Sequence, residues 1–132
     1  MRIVLDTNVL VSGIFWGGVP EKILSMAMEG HFSLIVTKEI VSEYFRIIDK
    51  IGKKDTELTS QWKMLLLQTM TVIDSKIEVR QCRDPKDDMF LECALAGKAK
   101  YIVSGDDDLL SIGKIGDVKI LTAKEMLQKS GC

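Results

Sequence analysis

Arg2-Ile3-Val4-Leu5-Asp6 is the stretch that decides the fold. It is short, β-branched, free of polar alternation and closed by an acid, the pattern of a strand buried on both faces of a sheet. Tyr101-Ile102-Val103-Ser104 repeats it, with Asp106 just beyond, and Ser33–Val36 and Val118–Leu121 supply two further short strands. Thr71 to Val79 is weakly strand-like. Helical stripes run between them. Pro20 marks a helix start, with Ile23, Leu24, Ala27 and Met28 on one side and Gly30 as its stop. Thr37 caps a helix whose apolar positions run from Ile40 to Ile51, and Gly52 ends it. Thr56 to Met70 turns Leu58, Trp62, Leu65 and Leu66 inward. Asp84-Pro85 opens a helix that continues to Ala96. Asp107 or Asp108 starts a short one, and Thr122 caps a last helix through Leu127. Strands alternating with helices predict parallel β–α–β units and an α/β fold, a three-layer α/β/α sandwich with a central, mainly parallel sheet. Residues 1–132 read as a single domain.

Composition removes several functions. Hydrophobic residues at 46% and charged residues at 28% describe an ordinary globular chain, which excludes disorder. Apolar runs such as Met64-Leu65-Leu66-Leu67 fall far below the ~20 residues a membrane span needs, so no membrane association is expected. Residues 1–5 read as a strand and not as a signal peptide, which predicts a cytoplasmic protein. Cys82, Cys93 and Cys132 include no CxxC pair and read as reduced thiols. His31 is the one histidine, placed by Gly30 in a surface turn. A Ser–His–Asp triad or a two-histidine mechanism therefore has no candidates, and any chemistry must run on carboxylates.

The acids are placed accordingly. In an open α/β sheet, ligands gather beyond the carboxyl ends of strands. Asp6 directly follows the first strand and Asp106 the strand at Tyr101. Glu43 lies at the border of its helix's apolar stripe, near the line of Ile40 and Ile47, whereas Glu39 points further away. In Asp84-Pro85-Lys86-Asp87-Asp88, Asp84 is explained as a cap and Asp87 by the helix dipole. Asp88, on a helix expected to be nearly buried, is left as the preferred candidate, with Asp87 the alternative. Four carboxylates brought together resist ionising. A hard divalent cation reverses that penalty, and oxygen ligands suit Mg²⁺ or Mn²⁺. Such ions activate water and neutralise a phosphodiester without a histidine base.

Other features are less specific. Eighteen basic residues against nineteen acidic ones give a net charge of -1, which does not announce a nucleic-acid binder. Arg46, Lys50, Lys53 and Lys54 outnumber Asp49 and Asp55 locally, as either a solvated helix end or a rim that contacts phosphate. Gly13, Gly17 and Gly18 form no P-loop, since no Gly-Lys-Ser/Thr follows. With Phe15 and Trp16 among them, they read either as a lip on which a base stacks or as an apolar loop over the core or a dimer contact.

Four stretches in order resemble the PIN-domain nucleases, and within them a prokaryotic subgroup of toxin–antitoxin toxins: Leu5-Asp6-Thr7-Asn8-Val9-Leu10-Val11-Ser12-Gly13, Ser42-Glu43-Tyr44, Cys82-Arg83-Asp84-Pro85-Lys86-Asp87-Asp88, and Tyr101-Ile102-Val103-Ser104-Gly105-Asp106-Asp107-Asp108-Leu109-Leu110. The resemblance spans nearly the whole chain. It implies a metal-dependent endoribonuclease acting on single-stranded RNA, with Asp6, Glu43, Asp88 and Asp106 as its catalytic, metal-holding acids. Asp108 would be an auxiliary metal ligand; Thr7, Asn8 and Ser104 would be polar residues that orient the acids. It also implies a homodimer and a separately encoded antitoxin. Two other functions remain open. An aspartyl-nucleophile phosphatase would also begin at Val4-Leu5-Asp6, but Asn8 stands where it wants a second Asp. A catalytically silent binding module would keep the fold without needing the acids.

Overall fold

Ile3, Val4 and Leu5 are fully buried, as are Ile102 and Val103, so the two strands that carry the acids sit at the centre of the sheet with both faces covered. The computed structural model describes residues 1–130. Its strands are β1 (Arg2–Leu5), β2 (Ser33–Val36), β3 (Met70–Val72), β4 (Tyr101–Val103), β5 (Lys114–Ile115) and β6 (Val118–Leu121). They form one sheet in the order β3-β2-β1-β4-β6-β5, parallel except for the β5–β6 pair. The helices, on both sides of it, are α1 (Thr7–Phe15), α2 (Gly18–Met28), α3 (Lys38–Ile51), α4 (Thr56–Thr69), α5 (Asp88–Ala96), α6 (Asp107–Ile112) and α7 (Ala123–Lys129). No described helix is long and apolar enough to cross a membrane.

From β1 the chain winds outward through β2 to β3, then returns to the other side of β1 to lay down β4 and β6. The order therefore reverses between β1 and β4, where an open α/β sheet leaves a crevice at its carboxyl edge. Tyr44, fully buried on α3, donates its hydroxyl proton to the Leu5 carbonyl and so ties α3 to the end of β1.

Several local expectations are corrected. The glycine-bearing stretch from Val9 to Val19 is not a loop, because α1 runs through it to Phe15. Gly13 is buried in that helix because α2 crosses it closely; a Cβ there would meet the Pro20 carbonyl oxygen at 3.0 Å. Gly17 and Gly18, with φ of 76° and 74°, make the corner between α1 and α2 in backbone that favours glycine. Trp16 is 68% exposed at the far end of α1, about 15 Å along the helix from Asp6. Only Met70–Val72 of the weakly strand-like region pairs with the sheet; residues 73–84 are irregular. Pro85–Asp87 is a 3₁₀ turn, and α5 begins only at Asp88. His31 is exposed beside Glu29, as its place in a surface turn predicts; Cys82 and Cys93 are free thiols, and Cys132 lies outside the described residues.

Candidate metal centre

Asp6 is 3% exposed and caps α1, its Oδ1 accepting the Val9 N–H at 3.0 Å. Ser104, at the end of β4, donates its hydroxyl to the other oxygen of that carboxylate. The same Oγ accepts the Asp106 N–H at 2.9 Å. One fully buried serine thus fixes the acids of the two central strands relative to each other. Asp106 caps α6 through Oδ1, which accepts the Asp108 N–H at 3.4 Å, while its Oδ2 is buried without a hydrogen-bond partner. Thr7 Oγ1 is likewise buried and unpartnered.

A cleft of about 290 Å³ opens here, lined by Asp6, Thr7, Asn8, Glu43, Asp87 and Asp106 together with Asp84 and Lys86. Carboxylate oxygens of Asp87, Asp106 and Asp108 all lie within 4.8 Å of one another. Glu43 reaches the same cleft from α3, its carboxylate paired to Arg46 at 2.8 Å one turn on.

Asp88 does not line this cleft. It is buried, and Oδ1 accepts the backbone N–H of Gln81 at 3.0 Å and of Cys82 at 2.9 Å. The third acid of the cleft is Asp87. The 3₁₀ turn explains the exchange, since residues three apart in such a turn are eclipsed. Asp84 and Asp87 therefore share one side and face the cleft, while Asp88 is rotated away toward the segment that precedes the turn. Asp87 is the alternative the sequence left open; Asp84, read there as a cap, and Lys86, not singled out, line the cleft as well, and the available signal was the pair of acids three apart around Pro85.

The electrostatics separate the neighbours. Burial, then the close approach and charge of the Asp106 carboxylate, and the charges of Asp84 and Asp6 push Asp87 from 3.8 up to about 7. Asp6 is also raised, chiefly by burial and less by Asp106, against the Ser104 and backbone hydrogen bonds. Burial works upward on Asp88 too, but the Gln81 and Cys82 N–H groups and the Cys82 thiol hold it below its ordinary value. One acid is satisfied by backbone; the others stand close enough to repel one another, a cost that a divalent cation would relieve. The donor set is all oxygen and includes the unpartnered Asp106 Oδ2, which fits a hard divalent ion such as Mg²⁺ or Mn²⁺.

Residues 2–108 match the PIN domain family. An uncharacterized protein of Methanocaldococcus jannaschii is 28% identical over 144 residues, covering 98% of this chain and 91% of that protein. The fold is similar to a chain in the crystal structure of VapBC2 from Rickettsia felis bound to a DNA fragment from their promoter, with a TM-score of 0.63, 16% identity, and 91% of this chain and 97% of that chain covered. A TM-score of 0.48 relates it to the T. brucei RRP44 PIN domain at 13% identity, over 97% and 79% of the two chains.

Proposed function

This chain belongs to the PIN-domain family, and from that premise we propose that it is a Mg²⁺- or Mn²⁺-dependent endoribonuclease that hydrolyses phosphodiester bonds of single-stranded RNA. The observation that carries the reading is the convergence of Asp6, Glu43, Asp87 and Asp106 on one cleft at the sheet's switch point, with Asp106 Oδ2 buried and unpartnered. Asp87, Asp106 and Asp108, whose oxygens lie within 4.8 Å of one another, would hold the ion, with Asp6 and Glu43 lining the same cleft; Asp88 positions the preceding segment instead. When bound, a divalent ion supplies charge neutralisation for the phosphodiester and an activated water.

The chain's own residues do the rest. Ser104 fixes the spacing of Asp6 and Asp106, so the acids are oriented before the ion arrives. Tyr44 anchors α3 at Leu5 and so holds Glu43 at the cleft. Arg46 pairs with the Glu43 carboxylate one turn on and balances part of its charge. Lys86 places a positive charge on the rim, where a scissile phosphate would approach an otherwise acidic surface. We read the chain as one cytoplasmic domain, a homodimer, and the toxin of a toxin–antitoxin pair; the likeness in fold to a chain of VapBC2 supports that assignment.

The test is cleavage of a labelled, unstructured RNA by the purified protein. Cleavage that requires Mn²⁺ or Mg²⁺, stops in EDTA and is lost in Asp6→Asn and Asp87→Asn is expected. Cleavage indifferent to chelator and to both substitutions would remove the proposal.

A further inference from the structure

A second charged feature lies at the other end of β4, on the amino edge of the sheet. Tyr101 opens β4, Lys119 is its register neighbour on β6, and Lys114 on β5 is the neighbour of Lys119. Register neighbours stand on the same face of a sheet, with Cβ atoms about 5 Å apart. The three side chains therefore form a row across three strands. Lys100 and Lys129 close over the Tyr101 ring, their Nζ atoms 5.5 and 5.8 Å from its centroid. All four lysines are exposed, and none enters an ion pair among the described residues. The β5–β6 turn contributes one acid, exposed Asp117, which pairs with none of them.

Folding gives no reason to gather these charges, because like charges opposite each other weaken a strand pair. The Tyr101 ring offsets part of the repulsion through its π face. That ring is itself buried, so it seats the ammonium groups and offers no surface for stacking. In a chain of net charge -1, so local an excess of unpaired lysine calls for an anionic partner.

We propose that this face, built from Lys100, Lys114, Lys119 and Lys129 around Tyr101, binds the sugar–phosphate backbone of single-stranded nucleic acid as a contact separate from the acidic cleft. Compact ammonium charges on flexible stems suit phosphates whose spacing varies, and they carry no base specificity. A protein partner fits less well. Interface cores are depleted in lysine and enriched in aromatic residues and methionine; Met1 is exposed at this edge, but Trp16, Met64, Leu67 and Val72 lie on other elements. At strand rise the run from Tyr101 to Asp106 is about 15 Å, so only an oligomer of several nucleotides engages lysines and cleft together. The choice of a polynucleotide rests on the nuclease reading, but its test does not require cleavage.

Anisotropy of a labelled uridine oligomer of about 20 nucleotides, longer than the ~4–16 that single-strand sites commonly cover, is measured in EDTA against salt. The variant Lys100→Gln/Lys119→Gln/Lys129→Gln is expected to bind at least about tenfold more weakly, and its slope of log affinity against log salt to shrink by about 2, at ~0.7 per lysine. Lys119→Gln alone, which leaves both Tyr101 contacts in place, is expected to shrink it by about 0.7. A deoxythymidine oligomer should show the same losses, since backbone phosphates carry no base or sugar specificity. Unchanged affinity and slope in both variants overturns the proposal while leaving the nuclease reading intact. So does a loss seen for polyglutamate but not for either oligonucleotide, which assigns the face to an acidic polypeptide.

Discussion

Replacing Asp87 by Asn should stabilise the metal-free protein at neutral and alkaline pH, although it removes a residue of the proposed centre. Asp87 titrates at about 7 in the folded chain against 3.8 for an unperturbed carboxyl. Each pH unit of that difference corresponds to ~1.4 kcal/mol, which sets a ceiling of roughly 4 kcal/mol on the cost of ionising it in place. The side chain is only partly buried and solvent screens its neighbours, so about 1–2 kcal/mol is the expected share. The sign follows from the direction of the shift. A carboxyl raised on folding binds its proton more tightly in the native state, so stability falls as pH rises from about 4 to 7 and stays low above. Asparagine carries no such penalty. Thermal melts in EDTA should therefore place Asp87→Asn above wild type by roughly 3–8 °C at pH 8 and level with it near pH 4. Saturating Mn²⁺ should raise the wild type at pH 8 and move the variant little. A variant less stable than wild type at pH 8 without metal, or a gap that ignores pH, would refute the reasoning.

The adjacent acid should behave in the opposite way. Asp88→Ala leaves the Gln81 and Cys82 N–H groups unpaired and should cost about 1–3 kcal/mol in urea unfolding. Because Asp88 is held below its ordinary value, its stabilisation is present at neutral pH and is lost as pH falls through the acid range. Ser104→Ala removes the hydroxyl between Asp6 and Asp106 and should cost about 1–3 kcal/mol, with weaker Mn²⁺ binding by calorimetry; unchanged affinity would mean the acids do not need that brace. Gly13→Ala should destabilise despite the better helix propensity of alanine, by about 1–3 kcal/mol, since the new methyl meets Pro20 backbone at 3.0 Å. A melting temperature at or above wild type would show that α1 and α2 separate freely.

The parts of this molecule that could be read from its sequence were those in which one residue's environment follows from its near neighbours. Apolar runs closed by Asp6 and Asp106 give central strands with acids at their carboxyl ends, because a strand buried on both faces shows no alternation. Glu43 could be placed from the phase of its stripe, since α3 is regular over its whole length. Asp88 could not be told from Asp87 in this way. Its burial is real, but burial says nothing about which group it satisfies, and the 3₁₀ turn at Pro85–Asp87 breaks the angular count on which the assignment depended. The helix α1 was hidden by glycines that look like loop residues; Gly13 is there for the close crossing with α2, a contact with no local signal. The lysine face is invisible to composition, since strand register, not chain proximity, sets Lys119 beside Tyr101.

The central claim is that distant carboxylates converge on a pocket that takes a divalent cation. A crystal soaked in Mn²⁺ and measured for anomalous scattering tests it most directly. A peak among Asp87, Asp106 and Asp108, beside Asp6, is expected, with Asp88 still turned to the backbone of Gln81 and Cys82. A cleft without manganese at saturating concentration, or an ion held by Asp88 in place of Asp87, would contradict it.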